Sequence, residues 1–320
     1  MKIGVSIFCG CFLSLVFFSP AAAQDKYPSK PINFIFVYPP GGGSDLCTKL
    51  LFETMKKDLG VPIIPKYVTG AAGSVGAYEL SKAAPNGYTV GMTTLVAMAL
   101  VPHTTGVKFN PLEDFDFIGT FMQFITGYVV KADSPYKNLK DLIEAARKNP
   151  NQIRFGNTTP GGFQGLTPAY LEKVEKIRFK NLPCPGGHGE ASAALLGGHV
   201  DFKPGNPAQL KPYIKSGHTR MIVSGSYMRH SDPSVPTLRE LGYDFDQVSW
   251  NALGAPKGLP VHVKKRLEES LAKAVQDPEF VKAMTNLDTP IDYHPGDEYK
   301  KMVVKYHEIW GNLLKDGYRF

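Results

Sequence analysis

The chain has 320 residues, of which 43% are hydrophobic, and it carries 36 Lys+Arg against 29 Asp+Glu for a formal charge of +7. That length suggests about two domains, and the mild, scattered basic excess excludes a nucleic-acid surface, because no basic run interleaved with aromatics occurs. Modest attraction of small anions is all that such a charge implies.

Met1-Lys2, the apolar stretch from Val5 to Phe18 and Pro20-Ala21-Ala22-Ala23 form the pattern of a secretory signal peptide cleaved after Ala23. The apolar core is too short for a comfortable membrane span. Removal of residues 1–23 takes Lys2, Cys9 and Cys11 with it, leaving a charge of +6 and two isolated cysteines, Cys47 and Cys184. Neither has metal-site or disulfide-framework spacing, so they read as small apolar fillers, with a single bridge between them as the alternative.

After the extended "KYPSKP", short apolar runs alternate with amphipathic segments. "INFIFVY", "PIIPKYV" and "YTVGMTT" read as strands, with helices over "LCTKLLFETMKKDLG" and "VGAYELSKAA" between them. In the first helix Leu46, Leu50, Leu51, Met55 and Leu59 recur near helical spacing, and Gly60 stands where a C-terminal cap belongs. A second cycle starts at "GYVVKADS" and runs through a helix containing Leu139, Leu142, Ile143 and Ala146. It continues with the strand "QIRFGN", a helix near Pro168 to Lys176, the strand "IRFKNLPC", a helix over Glu190 to Leu196 and the strand "TRMIVSG". Helices close the chain over Pro260 to Val275, Pro278 to Met284 and a last segment with Met302, Tyr306, Ile309, Leu313 and Leu314 on one face. Strand and helix in alternation imply an α/β fold with parallel sheet. Terminal helices of this kind pack back on the first unit, so the expected division is a discontinuous domain 1, residues 24–126 plus 250–320, and a domain 2, residues 127–249, joined by two chain crossings.

"YPPGGGSD", Tyr38 to Asp45, places two prolines and three glycines between a strand and a helix. A helix N-terminus exposes unpaired N–H groups, and glycines let an anion reach them, so this loop reads as an oxyanion cradle, with an ordinary strand-to-helix turn as the alternative. Gly43 is followed by Ser44-Asp45 rather than Lys-Ser/Thr, which argues against a nucleoside triphosphate, and no Gly-x-Gly-x-x-Gly dinucleotide fingerprint is present. "GNTTPGGFQG" and "PCPGGHGE" repeat the glycine-rich strand-end pattern in the second unit, where they would grip the other end of one ligand.

No acid, base and nucleophile set emerges. Ala72-Gly73-Ser74-Val75-Gly76 is one residue short of a nucleophile elbow, which leaves a serine hydrolase using Ser44 or Ser74 as a reading from another class. The eight histidines, among them His103, His188, His199 and His218, show no metal-ligand spacing and default to surface or turn roles. Neither metal nor cofactor is expected.

The blocks "YPSKPINFIFVYPPGGGSD", "GAAGSVGAYELSKAAPNGYTVGM", "FGNTTPGG", "LLGGHVDF", "VPTLRELG" and "SWNALGAPKGLP" are together similar to the substrate-binding proteins of tripartite tricarboxylate transporters, the Bug family of periplasmic receptors. The resemblance covers essentially the whole mature chain. It implies a two-domain clamshell of the type II periplasmic-binding-protein kind, each domain a mostly parallel sheet flanked by helices, acting as a monomer in the periplasm without catalysis. Such a receptor delivers a carboxylate to membrane permease subunits or, alternatively, presents it to a membrane sensor kinase. Carried over by motif, Tyr38, Gly42, Gly43, Ser44 and Asp45 line the first side, with Thr93 and Thr94 at the next strand end. Asn157, Thr158, Gly161, Phe163 and Gln164 form the opposite wall, joined by Gly186 and Asn206.

Departures from the family pattern bear on the ligand. Leu95, Val96, Ala97 and Met98 replace a polar run, Gly162-Phe163-Gln164-Gly165 replaces Thr-Ser-Ser-His, and Leu182-Pro183-Cys184-Pro185-Gly186 replaces Val-Pro-Tyr-Lys-Gly. Gly205-Asn206 stands where an acidic residue often precedes a serine. A wall of Leu95, Val96, Met98, Phe163 and Tyr38 suits a dicarboxylate or aromatic carboxylate with an apolar body, adipate-like or terephthalate-like, and disfavours amino acids and citrate.

Overall fold

The computed structural model describes residues 27–41, 43–157, 162–185, 187–229 and 232–315, so the expected leader and its expected cleavage site lie outside the described residues. The first cycle comprises β1 (Ile32–Phe36), α1 (Gly43–Leu59), β2 (Ile63–Tyr67), α2 (Ser74–Ser81), β3 (Thr89–Met92), α3 (Val101–Thr104) and β4 (Phe115–Phe124). The second comprises β5 (Gly127–Lys131), α4 (Leu139–Lys148), β6 (Arg154–Asn157), α5 (Leu166–Glu175), β7 (Lys180–Pro183), α6 (Gly187–Leu196), β8 (Lys203–Gly205), α7 (Pro207–Lys215) and β9 (Thr219–Ser224). The chain closes with β10 (Ser249–Pro256), α8 (Val261–Ala274), α9 (Pro278–Asn286) and α10 (Gly296–Lys315).

β1 lies between β2 and β3, parallel to both, in a five-stranded sheet of order β2-β1-β3-β10-β4. Helices cover both faces of that parallel part, so β1 is apolar at nearly every position. One face, with Phe34, Phe36 and Met92, packs against Leu51, Phe52 and Met55 of α1 and against Leu267 of α8 and Phe280 of α9. The second sheet orders β8-β5-β9, and a bridge between Phe155 and Phe202 joins the parallel pair β6-β7 to it. The larger core runs from Ile35 and Leu80 under the first sheet, past Trp250, Tyr306 and Trp310, to Tyr128, Phe155 and Ile222 in the second.

Neither sheet is simply parallel: the five-stranded sheet is mixed, and β8-β5-β9 pair antiparallel throughout. The strands that carry the chain from one sheet to the other, β4 to β5 and β9 to β10, pair antiparallel with their neighbours. A polar cluster ties these crossings together: Trp250 Nε1 and Tyr227 Oη each donate to Asp292 at 2.6 Å, and Ser226 Oγ donates to Gln123 Oε1 at 2.7 Å.

Two helices bury a face rotated from the expected stripe. The buried stripe of α10 is Tyr299, Val303, Tyr306, Trp310 and Leu313, which leaves Ile309 exposed. In α1 the buried face carries Cys47, Leu51, Phe52 and Met55, and Leu46 is 49% exposed. Gly60, with φ of +75°, caps that helix from the left-handed region, as its position implies. Cys47 and Cys184 are both free and buried.

Candidate functional site

The turn after β1 is held from below by a carboxylate. Gly41 adopts φ of +83°, a conformation suited to glycine, and its N–H donates to Asp45 at 2.8 Å. Lys49 Nζ and Tyr67 Oη donate to the same carboxylate at 2.9 and 2.7 Å. Burial alone would raise the Asp45 carboxyl, but these donors outweigh it and hold it below the usual carboxylate range. Asn251 Nδ2 on β10 donates to Ser44 Oγ at 3.1 Å, and Thr48 Oγ1 donates to the Ser44 carbonyl at 2.6 Å. The first turn of α1 is thereby aimed at open space.

That space is a cleft of about 740 Å³ between the two sheets. Its far wall begins at Gly162 and a 3-10 turn, Phe163–Gly165, that leads into α5. Gln247 Nε2 donates to the Phe163 carbonyl at 2.6 Å, Tyr128 Oη donates to the Gln164 carbonyl at 2.9 Å, and the Phe163 ring meets Trp310 edge-on at 6.1 Å. His188, in the first turn of α6, lies 3.0 Å from Gln164 through the two Nε2 atoms. Asn206 and Gln209 form a reciprocal capping box at the start of α7, with bonds of 2.9 and 3.1 Å, and both side chains border the cleft.

Of the residues expected from the sequence, Tyr38, Gly43, Ser44, Phe163, Gln164 and Asn206 line this cleft. Asp45 does not: it is the strut beneath the loop. Thr93 is fully buried against Gly254, and Thr94 stands behind Tyr38, its Oγ1 at 3.3 Å from the phenol oxygen. Asn157 is buried at the end of β6, while Gly42, Thr158, Gly161 and Gly186 lie outside the described residues. Of the expected apolar wall, Val96 lines the cleft, but Leu95 and Met98 are fully buried, because residues 95–100 coil into a helical turn that points them into the core.

Phe124, Thr126, His188, Gln209, Ser249 and Asn251 also line the cleft and escaped the sequence reading. Four of them sit at the strand ends where the chain crosses between sheets, a place that only pairing reveals. His188 defaulted to a turn role because no metal spacing surrounds it; one signal was available, its place two residues after Gly186 at the start of a helix. Among the described residues, no Asp, Glu, Lys or Arg lines the cleft.

Residues 48–317 match the family described as the tripartite tricarboxylate transporter family receptor. The chain belongs to this family. A Cupriavidus necator protein, described as the UPF0065 protein in the gbd 5′ region, is 32% identical over 89% of this chain and 87% of its own. Protein BugT of Bordetella pertussis is 27% identical over 96% and 95%. The structure of a TctC solute-binding protein from Polaromonas superposes with a TM-score of 0.78 at 27% identity, over 91% of this chain and 99% of that one. The receptor is therefore an α/β clamshell of the periplasmic solute-binding kind and not an enzyme. Ser44 accordingly bonds to an amide, Asn251, rather than to an imidazole.

Proposed function

We propose that this receptor captures, in the periplasm, a carboxylate with an apolar body, a dicarboxylate or an aromatic acid, and delivers it as a monomer to the permease subunits of a tripartite tricarboxylate-type transporter. The observation that carries this reading is the distribution of charge and polarity around the cleft. The first turns of α1, α6 and α7 all contribute lining residues, so three positive dipole ends border a cleft without a carboxylate among its described lining. Between those polar ends the lining is apolar: Pro39, Pro40, Val96, Phe124 and Phe163, with the Tyr38 ring. Burial raises the Tyr38 phenol above its ordinary value, so the hydroxyl keeps its proton and stays available as a donor.

An amino acid would bring an ammonium group to a cleft with no anionic partner, at a cost of several kcal/mol. Citrate would leave hydroxyl and carboxylate oxygens against Phe124 and Phe163. Covering about 80 Å² of a methylene chain or ring adds about 2 kcal/mol, more than a tenfold preference over succinate.

Residues 24–126 plus 250–320 and residues 127–249 serve as the two lobes, closing about the crossings near 126 and 250; the changes of sheet between Phe124 and Gly127 and between Ser224 and Ser249 support this. Calorimetry with aspartate, citrate, adipate and terephthalate tests the reading, with heat expected from the last two and a smaller radius of gyration in their complexes. Tight binding of aspartate or citrate, with no heat from adipate or terephthalate, would overturn the ligand class.

A further inference from the structure

His188 and the Tyr38 phenol are the only titratable side chains among the described residues that line the cleft. The contact between His188 Nε2 and Gln164 Nε2 defines the imidazole's state. An amide nitrogen only donates, so His188 Nε2 must accept, and the ring in this arrangement is neutral with its proton on Nδ1. Burial is the main reason the ring resists charging, and the ammonium of Lys203 behind it is the second; together they push His188 down to about 4. The Pro204 carbonyl opposes them only weakly, since Nδ1 makes no hydrogen bond of ordinary geometry.

Among the described residues, the other ionisable groups near the ring are not placed to neutralise a charge on it. Lys203, on β8, is fully buried and its Nζ is unpartnered. The Cys184 thiol, at the end of β7, is raised by burial and stays neutral. Glu190, two residues along α6, faces solvent. Tyr38, across the cleft, keeps its proton. A positive charge on His188 therefore has no counterion among the described residues lining the cleft, and an incoming carboxylate supplies one.

We propose that His188 is the anion anchor of the second wall and takes up a proton when an anionic ligand binds, so that this receptor couples carboxylate capture to protonation. The inference rests on the carboxylate-receptor reading above. The step is a proton transfer from solvent or buffer to His188 Nε2, which then donates to a ligand carboxylate oxygen. Gln164 must release its bond to Nε2 as this happens, either by turning its amide to present Oε1 or by yielding its place to the ligand. At pH 7 the free ring is charged in about one molecule in a thousand, so a ligand that favours imidazolium about a thousandfold charges half of it at that pH and most of it at pH 6.5. An ion pair at about 4 Å in an effective dielectric of about 20 supplies a factor of that size. The sign follows: affinity is greatest at low pH and falls by up to about tenfold per pH unit between the free and the ligand-bound values of His188, then levels off.

The experiment is calorimetry with adipate and terephthalate between pH 6.5 and 8.5, where such carboxylates are fully ionised, in buffers of different ionisation enthalpy. The wild type is expected to take up about three-quarters of a proton per ligand at pH 6.5, and to lose about fourfold in affinity by pH 8.5. His188→Gln is expected to take up none and to bind with less than about a twofold change over the same range. Histidine-detected NMR of the unmodified protein gives a second readout, with one ring neutral when free and imidazolium in the complex at pH 6.5. Binding without proton uptake and without that ring's change overturns this inference and leaves the carboxylate receptor standing. No heat from adipate, terephthalate, citrate or aspartate removes both.

Discussion

The two walls of the cleft are built on opposite principles. On the first wall the polar groups that hold the loop are partnered: Asp45 binds three donors, Ser44 Oγ takes the Asn251 amide, and Thr48 closes on the Ser44 carbonyl, while only deeper, at Thr93 Oγ1, is a buried hydroxyl left without a partner among the described residues. On the second, Lys203 Nζ and Thr219 Oγ1 are buried without partners among the described residues, and burial makes the His188 ring harder to charge than an ordinary imidazole. A satisfied network is rigid and ready before a ligand arrives. An unsatisfied one stores free energy that a ligand or a proton can release.

The contrast is broken most severely at Asp45. Asp45→Ala removes the acceptor for three charge-assisted bonds and frees the Gly41 N–H, so a stability loss of about 3 to 5 kcal/mol is expected in urea unfolding, with adipate binding lost. The pH dependence has a definite sign. Because the folded-state carboxyl is held below its ordinary value, its stabilisation is present above the unfolded value and fades as pH falls below about 4, and the variant lacks that segment of the curve. A variant that still binds adipate would show the strut to be dispensable.

Lys203→Met sharpens the comparison from the other side. Burial lowers this ammonium from 10.5 to about 8, a cost of about 3 kcal/mol at pH 7. The variant is expected to be more stable than the wild type by roughly that amount. Between about pH 8 and 10.5 the unfolded wild type holds the proton that the native state has released, so wild-type stability rises with pH and the gap to the variant narrows. A variant no more stable at pH 7 would mean the ammonium has a compensating partner.

Gly43→Val separates binding from folding on the first wall. A Cβ there meets only the Phe124 ring, at 3.7 Å, and the backbone does not need glycine, so unfolding should shift by less than about 1 kcal/mol. The branched side chain projects into the cleft, and adipate affinity should fall at least about tenfold by calorimetry. Normal binding would reduce the glycine loop to a turn. The smallest effect is expected at Asn206→Ala, which removes the α7 cap and about 1 kcal/mol of stability, measured by thermal unfolding.

How far these walls were legible differs for the same reasons. "YPPGGGSD" announces a cradle because proline and glycine reveal backbone geometry directly, and Tyr38, Gly43 and Ser44 do border the cleft. Asp45 belongs to the same motif yet points beneath it, since its partner Tyr67 lies on β2, 22 residues away. Local spacing carries no information about such a bond. β4 and β10 are invisible in the sequence for a related reason: β10 is central and β4, although the last strand of its sheet, is buried along nearly its whole length, so neither shows the period of two that marks a half-exposed strand.

What the sequence determined by itself is therefore what is written in local chemistry: alternating strands and helices, the glycine-rich strand ends, the family, and the absence of any catalytic constellation. The tertiary structure alone decided which side chains meet. It sent Leu95 and Met98 into the core while leaving Val96 in the cleft, brought Phe124, Ser249 and Asn251 to its rim through antiparallel pairing of distant strands, and set His188 between Gln164 and a buried ammonium. Burial and long-range pairing are properties of the folded chain as a whole, and a residue's charge state in the cleft follows from them rather than from its neighbours in sequence.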